Sequence, residues 1–176
     1  MPNEFQLITS VALSARSGIT QLYKSANLAD AFAVWLPAGT SNKPEVLARF
    51  IFAHQPSWIT WLMKLRDTIV ACFGLKTAKH LATLTNRVGI FKIYSNTQNE
   101  IILGEDDKHL DFRISIFHSA ETQPNGGHQL VVTSVVHCHN LLGRAYIFII
   151  APFHRMVVKA SLLRAARLGW PRATED

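Results

Sequence analysis

Between Lys108 and His139 the sequence alternates, and that alternation restricts the fold more than any other feature of the chain. In a first run, Lys108 to His118, the even positions Leu110, Phe112, Ile114 and Ile116 are apolar, while the odd positions begin His109, Asp111 and Arg113. In a second, His128 to His139, Leu130, Val132, Val136 and Cys138 share the even face, and Thr133, Val135, His137 and His139 share the odd one. A period of two sends successive side chains to opposite faces, so each run is predicted to be a strand with its even face on the core. The turn formers between Ser119 and Gly127 join the two as a hairpin. Pairing His118 with His128 sets His109 opposite His137, where Cβ atoms lie about 5 Å apart.

Shorter runs precede this pair. Phe91 to Ser95 and Glu100 to Leu103 read as a hairpin around Asn96 to Asn99, with Gly104 to Asp107 as a second turn. An earlier strand, Ala31 to Leu36, follows Asp30 and is stopped by Pro37 and Gly39; because proline cannot donate to a ladder, it is expected at an edge. Helical signals fill the rest. Ser41 or Asn42 can cap a helix carrying Pro44 and Glu45 in its first turn and reaching about His54. Pro56 and Ser57 open a second helix, with Trp58, Trp61, Leu62, Leu65, Ile69 and Phe73 along one face and Gly74 as its stop. Leu75 to Gly89 permits either helix or loop. Asn140 caps a terminal helix reaching about Leu168, which Pro152 is expected to kink or divide, with Phe153 and Met156 turned to the sheet. Residues 1–29 read as a loose lead-in with one helical turn near Ile19.

The order of strand, two helices, at least four strands and a long helix defines an α+β class. A sheet of consecutive hairpins must bury one face, and the terminal helix is the element large enough to cover it. At 176 residues the chain fits a single domain, 1–176. With 48% apolar and 17% charged residues, disorder is excluded. A net charge of +6 suits anionic partners, but Lys76, Lys79, Arg87 and, further on, Arg155, Lys159, Arg164 and Arg167 are scattered and not interleaved with aromatics, which argues against nucleic acid. Cys72 and Cys138 sit in apolar segments without CxxC spacing and are expected as buried thiols. The first residues lack a basic leader, and no run approaches about 18 consecutive apolar residues, so a cytoplasmic protein without a transmembrane segment is expected.

Asp30 to Pro37, the PxW segment Pro56 to Trp58, LxxLRD at Leu62 to Asp67, GEDDKHLDFR at Gly104 to Arg113, and HNLLGRAY followed by APFHRMVVKASLLRA resemble the bacterial DUF2867 family over about Ser10 to Arg167. The resemblance implies a relation to the helix-grip superfamily of START and Bet v 1-like proteins. These enclose an apolar cavity between an antiparallel sheet and a long C-terminal helix, and many bind lipids, polyketides or hormones. It also implies a possible partner, since similar domains occur fused to short-chain-dehydrogenase-like domains, for which this chain lacks both the length and a GxGxxG loop. It assigns no catalytic residue.

Three groups of residues can carry function. Trp58, Trp61, Leu65, Phe112, Ile114 and Phe153 are expected to line a cavity for a small, mostly apolar molecule, with His154 and Arg155 at its mouth to hold an acidic group. His109, Asp111, Arg113, His137 and His139 gather on the odd face of the strand pair, either as a solvated surface or as the acid/base group of a cyclase- or hydrolase-type enzyme. No metal is expected there, because a fourth ligand is missing, and no cofactor is expected elsewhere. Arg66 and Asp67 read as a salt bridge. Neither a GxSxG motif nor a partnered cysteine offers a nucleophile.

Overall fold

The computed structural model describes residues 8–22, 25–53, 86–124 and 126–173. The expected second helix, with Trp58, Trp61, Leu65, Arg66, Asp67 and Cys72, lies outside them. The described elements are β1 (Ile8–Ser10), a single 3-10 turn (Gly18–Gln21), β2 (Leu28–Leu36), α1 (Pro44–Ala53), β3 (Arg87–Val88), β4 (Phe91–Asn96), β5 (Glu100–Asp106), β6 (Leu110–Thr122), β7 (His128–Cys138) and α2 (Leu141–Leu168). The strands form one antiparallel sheet in the order β1-β2-β7-β6-β5-β4-β3. The long C-terminal helix packs across it, giving the α+β arrangement that the alternation requires.

The even face of β6 and β7 is indeed the core face. Ile114, Ile116, Leu130 and Val132 join Phe32 and Val34 of β2, Ile101 and Leu103 of β5, Leu47 and Ile51 of α1, and Leu162 and Ala165 of α2 in one cluster. Three expectations about the strands are corrected. β2 is not an edge, because the three residues of β1 pair with one side of it while β7 takes the other. Gly104 lies within β5, not in a turn. The β6–β7 hairpin is shifted by two residues: His118 pairs with Leu130, and a bulge before Thr122 lets that residue pair with His128. A slip of two preserves the faces, since side chains repeat every second residue.

The odd face is not simply solvated. Residues 11–22 fold back over its middle, where Val11 packs on Ala31, Ala33, Phe117 and Val131. Glu100 fixes this segment: its carboxylate accepts hydrogen bonds from the Ser17 and Ser115 hydroxyls and from the Gly18 amide. Both serines are buried.

α2 is one uninterrupted helix with Pro152 on its exposed side. Asn140 caps it, accepting from the Gly143 amide at 3.0 Å. A Cβ at position 143 would lie 2.2 Å from the His109 carbonyl oxygen, so glycine lets the first turn lie against the β5–β6 turn. At the other end Trp170 is buried near Phe50, and the Pro171 carbonyl accepts from the Ser41 amide at 2.8 Å.

Candidate functional site

The face of α2 turned to the sheet carries Ile147, Ala151, His154, Val158, Leu162 and Ala165 at helical spacing. Every member but one is apolar. Phe153 and Met156, expected on this face, are exposed instead. The reason lies in the helix itself: Ile149, Phe153 and Met156 form a second apolar row as regular as the first, and periodicity cannot choose between them.

His154 therefore enters the interface between sheet and helix, and its Nε2 is buried with no hydrogen-bond partner among the described residues. Burial depresses its pKa; Asp30 opposes that shift and Arg155 reinforces it. The imidazole is thus held neutral, with one nitrogen as donor and the other as acceptor. Seven residues on, and on the same side of the helix, the buried Ser161 hydroxyl also has no partner among the described residues.

Arg155 reaches across to β2, where its Nε donates to both carboxylate oxygens of Asp30 at 3.0 and 3.1 Å. Asp30 stands opposite Ser134 of β7, which is buried beside Ile114 of β6. Next to them Phe112 bridges two apolar clusters, one built on Ile147, Val136 and Leu28 and the other on the main core. Sequence reading missed Asp30 as a partner for the helix. The signal was available: Asp30 falls in phase with Leu28, Phe32 and Val34, a carboxylate on an otherwise apolar face.

The odd-face cluster assembles in the corrected register, so that Asp111, not His109, stands opposite His137. His139 Nε2 lies 3.0 Å from Asp111 Oδ1, and the His137 and His139 rings meet edge to face at 5.5 Å. His137 Nδ1 donates to the Ser25 carbonyl at 3.0 Å, and Asn140 Nδ2 donates to His109 Nδ1 at 2.8 Å. Among the described residues no three His, Cys, Asp or Glu side chains converge as a metal-binding set.

Arg113 belongs to a different group. Its guanidinium lies 3.6 Å from the centre of the Tyr94 ring and pairs with Asp106 at 2.7 Å. Burial alone would raise the Asp106 pKa, but hydrogen bonds from Tyr94 and Arg113 outweigh it and hold the carboxyl below its usual value. A Cβ at position 104 would come within 2.2 Å of the Phe112 carbonyl oxygen and 2.9 Å of Arg113 Cδ, so Gly104 gives this arginine its bed.

At the far end of the sheet, Arg16, Thr97, Asn99, Glu100, Phe117 and His118 line an open cleft of about 310 Å³. It is not the apolar cavity expected beneath the helix. The His118 and His128 rings lie 4.3 Å apart, tilted at 45°, and burial lowers the pKa of both. Cys138 is a buried free thiol whose pKa burial raises, against a smaller opposing effect of Arg144.

The family model of DUF2867, described as a protein of unknown function, matches residues 22–161, most of the chain. The chain belongs to this family. No curated protein and no solved structure matches it. Within this DUF2867 protein the GEDDKHLDFR segment is explained by structure: Gly104 beds Arg113, Asp106 balances it, and Phe112 fills the core. The Asp30 and PFHR segments, 125 residues apart, meet at the Asp30–Arg155 pair beside His154.

Proposed function

We propose that this protein binds a small, mostly apolar molecule between the inner face of the sheet and α2, with a hydrogen-bonding end at His154. The sheet and long helix of this family member are consistent with a helix-grip fold, which favours that location. The observation that carries the reading is the buried, unpartnered Nε2 of His154 in an otherwise apolar row. An unsatisfied buried polar atom costs about 1–3 kcal/mol, which a ligand hydroxyl or carbonyl would recover. Because Asp30 already balances Arg155, recognition here rests on a neutral imidazole, which favours such groups over a carboxylate. Phe112 and Ile114 supply the apolar floor.

The enzyme reading has weaker support, since His109, His137 and His139 each bond to another part of the protein and so tie strand ends and helix cap together. Native mass spectrometry of tag-free protein, with solvent extraction of what it carries, tests the binding reading. A bound apolar molecule, or saturable uptake of a fluorescent long-chain alcohol, is the expected result. A bare mass together with no saturable uptake would overturn it.

A further inference from the structure

We propose that the outward face of α2 docks on an anionic membrane surface, independently of any ligand held beneath the helix. Leu141, Phe148 and Ile149 are 79%, 85% and 62% exposed, and Leu142, Phe153 and Met156 are exposed with them. A phenylalanine alone presents about 150–250 Å². The stripe therefore amounts to several hundred Å² over roughly 23 Å of helix, at the upper end of what a soluble monomer leaves bare.

Charge selects the occupant. Arg144 borders the stripe and Arg164 lies further along, while Arg155 is held by Asp30 and Lys159 lies over the Phe32 ring; the helix contains no Asp or Glu. The whole chain carries +6. Two copies joined stripe to stripe would bring Arg144 and Arg164 of both together with no helix carboxylate to pair them. Anionic headgroups would instead neutralise them while the apolar side chains enter the acyl boundary. α2 is long and apolar enough to cross a bilayer, but its other face is committed to the sheet through Ile147, Leu162 and Ala165. The contact runs along the helix and does not span.

The test is co-sedimentation of the full chain with phosphatidylcholine vesicles, with and without phosphatidylglycerol, at low and raised salt. Binding is expected only with phosphatidylglycerol and should weaken several-fold with salt. The double variant Phe148→Glu/Ile149→Glu should lose about tenfold or more in partitioning with an unchanged melting temperature. Phe148→Ser serves as the second variant if the double one folds poorly, and Arg144→Glu should give a smaller loss. Failure to sediment with phosphatidylglycerol overturns the proposal, as does equal binding by folded stripe variants. Light scattering that reveals a dimer dissolved by Phe148→Ser, without vesicle binding, would assign the stripe to a second copy and overturn it too.

Discussion

Replacing His154 with leucine should make the protein more stable and a poorer binder. The substitution removes a buried nitrogen without a partner, worth about 1–3 kcal/mol, and extends the apolar row of Ile147, Ala151 and Val158. Against this stands a change of shape in a packed interface, costing up to about 1.5 kcal/mol. The net gain is about 1 kcal/mol, or roughly 2–4 °C in melting temperature for a chain of this size. The pH dependence gives a second, independent reading. The folded pKa of His154 is depressed, chiefly by burial, so below about pH 6.5 the unfolded chain takes up a proton that the folded one refuses. Stability contributed above that pH is lost as pH falls towards the folded value, and the leucine variant escapes the loss. His118 and His128 are depressed in the same way, but both proteins share them, so they cancel in the difference. Thermal melts by circular dichroism near pH 7.5 and 5.5 measure both effects. A variant less stable than its parent by more than about 1 kcal/mol near pH 7.5, or a difference that fails to widen in acid, would refute the burial of an unpartnered imidazole.

Gly104→Ala should destabilise the protein by about 1–3 kcal/mol in denaturant melts, because the new methyl meets a backbone oxygen that cannot swing aside. Arg87→Gln should cost about 3 kcal/mol, since Arg87 and Glu105 pair at 2.8 Å with side chains only 6% and 11% exposed. Asp111→Asn, by contrast, should cost under about 1 kcal/mol, its partner His139 being partly solvated. Urea titrations of the two variants side by side check that order.

Alternation alone disclosed which face of β6 and β7 meets the main core, because a face is a property of one strand, but not that residues 11–22 bury the middle of the other face as well. Register is a property of two, and here it depends on the bulge between His118 and Thr122, inside a stretch whose serine, proline and glycines read as plain loop. The same limit explains β2. Pro37 announced its end correctly, but nothing in its composition shows that Ile8–Ser10 returns to cover its edge. In α2 the difficulty was surplus signal: two apolar rows competed, and the sheet chose the one containing His154. Arg113 was singled out, but its partner Asp106 lies on the neighbouring strand and was read as part of a turn. His154 and Arg155 were picked out in advance, whereas their partner Asp30 was passed over although it is a carboxylate in step with apolar neighbours.

The pairing of β2 with β7 also bears on how the chain is made. Asp30 meets Ser134 across the ladder, so a central strand waits for one synthesised about a hundred residues later. At roughly 5–20 residues per second the wait is on the order of 5–20 s. Until β7 has left the ribosome, Phe32, Val34 and Leu36 have at most the three-residue β1 beside them and lack both the β7 ladder and the α2 residues that close the core. Nascent chains stalled before His128 should accordingly engage chaperones through β2, whereas release of the complete chain would let the sheet close in one step.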